Sequence, residues 1–289
     1  LPERERTRTP LSTISYYTMR FQIWSIIRLF AVFAVFFAGC GRESPLPESR
    51  VILVGLDGID LRIVDELVEA GRLPCFERIL SEGLSGELRS YRPILSPLIW
   101  TTMATGRGPD EHRILGFSVH DDRVGATVVP SSRRRCAALW NIVPRYGRSI
   151  TVIGWWATWP AEETEGFIVS DRFGREFEED LSSKNDAAFP GVTYPSDLVE
   201  ELTPLRVEAT EVGYEQLSRY VDLSREAYER EMGASLDVQN PLHHLHLIVG
   251  RAETYRKVLL HMLERHPTDL TMVYFAFTDS ISHLFMPAR

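Results

Sequence analysis

Cysteine is scarce in this chain. Three of the 289 residues are cysteines, Cys40, Cys75 and Cys136, too few for a disulfide framework. With Cys40 set aside for the reason given below, one pair remains. A bridge between Cys75 and Cys136 is open to it, but two buried small hydrophobes are the favoured reading. Positive charge is also in deficit. Lys and Arg number 32 against 40 Asp and Glu, a formal charge of -8, so nothing points to a nucleic-acid partner. Long apolar runs are missing as well. The most apolar stretch, Leu29–Ala38, is too short for a membrane span. Internal repeats and low-complexity tracts are absent. What remains suits one large α/β domain with insertions.

That short apolar stretch has another use. Residues 1–18 are polar and basic, and Met19 and Arg20 open a segment that leads into it. The stretch ends Phe37-Ala38-Gly39-Cys40. A short apolar core with a small-residue exit is the pattern of a signal peptide, and small residues before a cysteine resemble a bacterial lipobox. Phe37 stands where Leu is more usual. Residues 1–40 are therefore expected to be a pre-sequence and lipoprotein-type signal peptide, with Cys40 the lipidated residue. A plain signal peptide or an uncleaved anchor is the alternative. Residues 41–50, with two prolines, two serines and a glycine, read as a tether. The expected location is the cell envelope, lipid-anchored on an extracytoplasmic face.

The domain is organised around Val51–Asp60, Val-Ile-Leu-Val-Gly-Leu-Asp-Gly-Ile-Asp. A short, mostly branched apolar run reads as a strand buried on both faces of a parallel sheet. Ligands of open α/β sheets bind beyond the carboxyl ends of such strands, and Asp57 lies there. Leu61–Ala70 has helical periodicity closed by Gly71, and Pro74 can open a second short helix ending at Gly83. Leu84–Arg89 alternates as an edge strand would. Ser96 then suits an N-cap, with Pro97 at the first helical position and Gly106 as terminator. The plain cap is the default reading of Ser96; a phosphate held at the helix N-terminus is the functional one.

Arg107–Asp122 reads as a loop holding His112 and His120, more naturally surface or hydrogen-bonded groups than ligands. Trp140–Tyr146 is a short helix, and Ser149–Trp156 and Phe167–Ser170 are strands. Trp155, Trp156 and Trp159 are core material first and a pocket lining second. Residues 173–240 are charge-rich and read as an insertion over the sheet, with weak helices at Tyr214–Tyr220 and Arg225–Met232. Leu242–Arg265 is a long amphipathic helix. His243, His244 and His246 at its start tempt a metal reading, but no local carboxylate or cysteine completes a shell, and solvated surface is the better reading. Thr271–Phe277 is the last strand, followed by Asp279 and His283. A carboxylate and an imidazole at that spacing on a turn or helix share a side and suit a divalent metal. Alone the spacing is weak, since a cap and a surface histidine give it too.

Together these signals resemble the alkaline phosphatase superfamily, and within it the type I phosphodiesterase/nucleotide pyrophosphatase branch, including bacterial members. The likeness rests on Val-Gly-Leu-Asp-Gly at Val54–Gly58, Ser-Pro-x-x-Trp-Thr-Thr-x-x-Thr-Gly at Ser96–Gly106, Gly-Trp-Trp-Ala-Thr-Trp-Pro-Ala-Glu at Gly154–Glu162, and Asp279-x-x-x-His283. It implies an alkaline phosphatase-like three-layer α/β/α sandwich with a mostly parallel sheet. It also implies hydrolysis of a phosphodiester or phosphomonoester with two divalent metal ions, usually zinc. Asp57 and Ser96 would serve one metal, and Asp279 and His283 the other. Ser96 would be the nucleophile attacking phosphorus, giving a phosphoenzyme, with amides around Pro97 and Leu98 holding anionic oxygens.

Two departures bear on that expectation. Relatives often carry His-Gly-Ile followed by an Asn that touches the phosphoryl group. Here Arg113 replaces the glycine and Phe117 stands at the Asn, which counts against nucleotide-type recognition. The family's further ligands, an Asp-His pair and a last His, lie beyond Asp-x-x-x-His, and no later Asp-His follows His283. Residues 51–289 are accordingly expected to be the front of a catalytic domain incomplete at its C-terminus, binding metal poorly and turning over little alone. The expected substrate is a small-molecule, lipid or glycan phosphoester, with the membrane met through the lipid anchor and the oligomeric state open. A phosphotransferase using Ser96, and a non-catalytic surface lipoprotein whose Trp155–Trp159 cluster grips a glycan or lipid, are the rival readings.

Overall fold

Four short runs of branched and aromatic residues have little choice but to pair, because each is too apolar to stand in water. The structure is a computed structural model that describes residues 49–121, 125–174, 190–233 and 240–286. The signal segment and Cys40 lie outside them, as do parts of the expected insertion. The chain begins with β1 (Val51–Leu56), α1 (Leu61–Glu69), α2 (Pro74–Glu82), α3 (Ser96–Thr105) and the single turn α4 (Pro109–His112). An antiparallel pair, β2 (Ser118–Asp121) and β3 (Gly125–Val128), follows, then α5 (Leu139–Ile142) and the strands β4 (Ile150–Ile153), β5 (Gly166–Val169) and β6 (Thr193–Tyr194). Short helices α6 (Leu198–Leu202), α7 (Tyr214–Leu217) and α8 (Arg225–Met232) lead to the long α9 (Pro241–Arg265), β7 (Leu270–Phe275) and α10 (Phe277–Phe285).

The main sheet has the order β1-β7-β4-β5-β6. Its first four strands are parallel and β6 closes the far side antiparallel to β5. The strand latest in sequence thus sits between the earliest and β4, reached through α9. Side chains alternate across the sheet as the pleat requires. Ile150, Val152, Ile168, Met272 and Tyr274 meet Trp100, Ala104 and Trp140 on one face. Ile153, Val169 and Val273 meet Tyr255, Val258 and Met262 of α9 and Leu198 and Leu202 of α6 on the other. Two helical layers around one sheet make the α/β/α sandwich that the family resemblance implies. Removing a ring such as the fully buried Trp155 would cost about 3–5 kcal/mol. No helix among the described residues is long and apolar enough to cross a membrane.

Several local expectations are corrected. β1 is parallel as predicted but is the edge of the described sheet, and Val51, Ile52 and Val54 are exposed rather than buried on both faces. Leu84–Arg89 forms no strand; Leu84 and Leu88 are exposed, and alternation without a partner does not hold an edge. The stretch 107–122, expected to be a loop, contains α4 and β2. Cys75 and Cys136 are free, but Cys75 is exposed and Cys136 half-buried, so neither is core. His243 and His246 are buried, not solvated. The His246 Nδ1–H donates to the Ala209 carbonyl at 3.0 Å, and its ring stacks on Tyr228. Residues of the expected insertion pack over that face of α9, and burial holds the His246 pKa below its ordinary value.

Candidate active site at the strand ends

The site begins with the ladder between β1 and β7. Their register is unbroken from Val51↔Leu270 to Leu56↔Phe275, and the Asp57 N–H extends it by donating to the Phe275 carbonyl at 3.0 Å. Asp57 is thereby fixed at the carboxyl end of β1. Its carboxylate Oδ2 accepts a hydrogen bond of 2.5 Å from the Tyr274 hydroxyl, and its carbonyl accepts one from Thr278. Gly58 turns the chain away at φ 66°. The glycine is needed twice. A side chain there would be strained in the left-handed region, and its Cβ would lie 2.7 Å from the Asp279 Cα. The backbone of the first acid therefore rests directly on that of the second.

Asp279 lies in the first turn of α10, with His283 one turn on. Their side chains approach at 3.4 Å, Asp279 half-buried and His283 largely exposed. Burial raises the Asp279 pKa above the ordinary carboxylate value, the Asp57 charge raises it further, and His283 opposes both. The structure therefore sets Asp279 beside His283 and within the field of Asp57, at the ends of neighbouring strands, although among the described residues the three do not close to within 4.8 Å of one another.

Ser96 arrives differently. It is the first residue of α3, and Leu95, in extended conformation and with no side chain able to cap, holds the capping position. The expected N-cap role of Ser96 is therefore corrected by one residue, and its hydroxyl does not cap its own helix. What ties α3 to the sheet is Trp100, one turn further along. Its ring lies against Gly55, where a Cβ would meet it at 2.6 Å, and packs edge-on to Tyr274 at 4.9 Å. Trp100, Tyr274 and Asp57 thus form a continuous chain of contacts from the Ser96 helix to the first acid.

The tryptophans after β4 behave as core. Trp155 and Trp156 are buried, the Trp155 Nε1–H donates to the Trp100 carbonyl at 2.9 Å, and Trp156 meets Tyr274 and Phe117. That leaves these two rings no free face for a glycan or lipid. The turn that carries them is held by a carboxylate the sequence reading did not weigh. Asp171, just past β5 and buried, accepts from the Trp159 N–H at 3.1 Å and the Ala157 N–H at 3.3 Å. Ala157 sits at φ 55°, a conformation a non-glycine residue keeps only when its surroundings enforce it. The signal available was position alone: Asp171 follows a strand, as Asp57 and Asp279 do.

His112 is fully buried. Its Nδ1 accepts the Ile114 N–H at 3.1 Å, so Nε2 carries the proton toward the Thr102 hydroxyl at 2.9 Å. Burial lowers its pKa, and it is a hydrogen-bonded structural group. Arg113 adopts φ 65°, a left-handed conformation that favours glycine.

Comparisons with known proteins place this geometry in context. Among curated proteins none matches the chain. Two solved structures of phosphonoacetate hydrolase from Sinorhizobium meliloti 1021, in complex with phosphonoacetate and with phosphonoformate, are similar at 14% identity and a TM-score of 0.38. Each comparison covers 83% of this chain and 49% of the other, so the chain spans about half the length of that enzyme. The family model described as type I phosphodiesterase / nucleotide pyrophosphatase matches residues 51–289, and the chain belongs to that family, within the alkaline phosphatase superfamily.

Proposed function

We propose that this chain carries the nucleophile and part of the cation-binding shell of a divalent-metal phosphoester hydrolase. The observation that carries the reading is the pairing of Asp279 with His283, in the field of Asp57, beyond adjacent parallel strands in a chain of this family. Two carboxylates in each other's field and an imidazole beside them are a donor set suited to a divalent cation. The pKa of Asp279 is raised first by burial and then by the Asp57 charge, and a bound cation would offset both. Asp57, Asp279 and His283 would hold such ions, with zinc a fitting choice for a set containing imidazole. Bound cations would supply charge neutralisation at the phosphoryl oxygens and ease loss of a proton from a hydroxyl or water.

The chain's own groups have separate tasks. Ser96 is the nucleophile, its oxygen forming the bond to phosphorus as the leaving alkoxide departs; water then hydrolyses the phosphoserine. Its place in the first turn of α3 surrounds it with helix amides that have no partner within the helix, and these receive phosphoryl oxygens. Pro97 contributes none of them, because it has no N–H. Tyr274 fixes the Asp57 carboxylate through its hydroxyl, and Gly58 sets the separation of the two acids. The substrate is a phosphodiester or phosphomonoester. Export and lipidation at Cys40 would place the site outside the cytoplasm.

Protein made from the whole coding sequence, assayed on a chromogenic phosphodiester with added zinc, tests this. Ser96→Ala is expected to lower kcat by orders of magnitude, and Asp279→Asn to raise the zinc concentration required. Full activity in Ser96→Ala would remove Ser96 as nucleophile.

A further inference from the structure

A second group of metal-capable side chains lies elsewhere in the fold. Glu201 of α6, His261 of α9 and His266, the residue capping α9, place one ligand atom each within 4.8 Å of one another. The His261 Nε2 lies 2.6 Å and the His266 Nε2 2.9 Å from the same Glu201 oxygen, Oε1. This group is remote from the strand-end acids. His266 precedes β7 and Asp279 follows it, and a six-residue strand separates their levels by roughly 20 Å.

The convergence is not an outcome of helix periodicity. Two residues five apart on a straight helix point to different sides, since neighbours on one face are three or four apart. His266 escapes that rule because it has left the helix, at φ -131° and ψ 57°. Its ring is also oriented by Phe167 at the start of β5, with centroids 4.8 Å apart. All three side chains are partly open to solvent.

We propose that Glu201, His261 and His266 form a second divalent-metal site, selective for a borderline ion such as zinc, nickel or copper. Two imidazole nitrogens and one carboxylate are ligands such ions favour over magnesium or calcium, which prefer oxygen alone. Three protein ligands leave a fourth position for water, and small movements of these partly exposed side chains bring the donors to the 2.0–2.2 Å that zinc takes. The ion exchanges the two imidazole–carboxylate hydrogen bonds for coordination and pins α6, from the expected insertion, to the end of α9.

Zinc itself is the probe, titrated calorimetrically into the full chain, with cobalt absorption as a second readout. Wild type and Asp279→Asn are both expected to show this site. The double variant His261→Gln/His266→Gln, and separately Glu201→Gln, are expected to weaken it by more than about 100-fold, beyond the loss of an outer-shell partner. Zinc is also expected to raise the melting temperature of wild type more than that of the double variant. A folded double variant that binds as many zinc ions as tightly as wild type overturns the proposal. So does a wild-type chain whose bound zinc is lost entirely in Asp279→Asn. If the double variant fails to fold, Glu201→Gln and single His261→Gln decide by the same measure.

Discussion

The two ends of the sheet treat carboxylates in opposite ways. At the carboxyl ends Asp57 and Asp279 face one another, and the pKa of Asp279 is pushed up by burial and by that charge. At the amino ends Asp269 accepts from the Ser149 amide and hydroxyl and from Arg148, and its pKa is pulled down, chiefly by the Ser149 amide. Glu201, near His266, is likewise held down by its two imidazoles. At the carboxyl end Asp57 and Asp279 bring like charge together, and the one cation-capable side chain seen beside Asp279 is the largely exposed His283. The other end matches Asp269 and Glu201 with donors. The difference agrees with the cation site proposed at the carboxyl end.

The strongest way to strain this comparison lies with the third strand-end acid. Asp171 is at the carboxyl end but is matched with donors, so it belongs to the fold. Asp171→Ala strands the buried amide of Ala157 and the half-buried amide of Trp159 and is expected to cost about 3 kcal/mol in denaturant unfolding. A near-neutral result would mean that the tryptophan turn supports itself.

Tyr274→Phe comes next. It removes the hydroxyl that donates to Asp57 and is expected to cost about 1.5–2 kcal/mol without added metal, in the range for a bond to a charged group. Added zinc should recover part of that loss.

The sharpest comparison pairs two smaller effects. Asp269→Asn is expected to destabilise the chain by about 1 kcal/mol at neutral pH, whereas Asp279→Asn in metal-free buffer should stabilise it by roughly 0.5 kcal/mol after solvent screening. The signs follow from linkage. The lowered pKa of Asp269 contributes stability above its unfolded value, lost as pH falls through the folded one. The raised pKa of Asp279 makes the folded chain bind more protons, so stability falls as pH rises from the unfolded value toward the folded one. Melting curves at acid and neutral pH should therefore show the Asp279→Asn gain at neutral pH only. Equal signs for the two variants would end the distinction drawn here.

Much of this was legible in the sequence, for identifiable reasons. Short branched runs marked β1, β4, β5 and β7, and an acid after a strand marked Asp57 and Asp279, because strand ends are fixed by local composition. Which strand stands at the edge was not legible, since β7 enters beside β1 only through the long-range path of α9. Nor was the burial of His243 and His246, whose partners lie on α8 and before α7. The Glu201, His261 and His266 cluster was missed because one member is sixty residues from the next and another comes into reach only by leaving its helix.

β1 lies outermost in the described sheet, and three of its six side chains, Val51, Ile52 and Val54, are oily and wet. Among the described residues no strand pairs with its outer side, and an edge of that kind is adhesive, its amides and carbonyls templating whatever extended segment comes near. In concentrated solution this chain should self-associate along that seam, and Ile52→Lys should keep it dispersed without touching Asp57 at the far end of the strand.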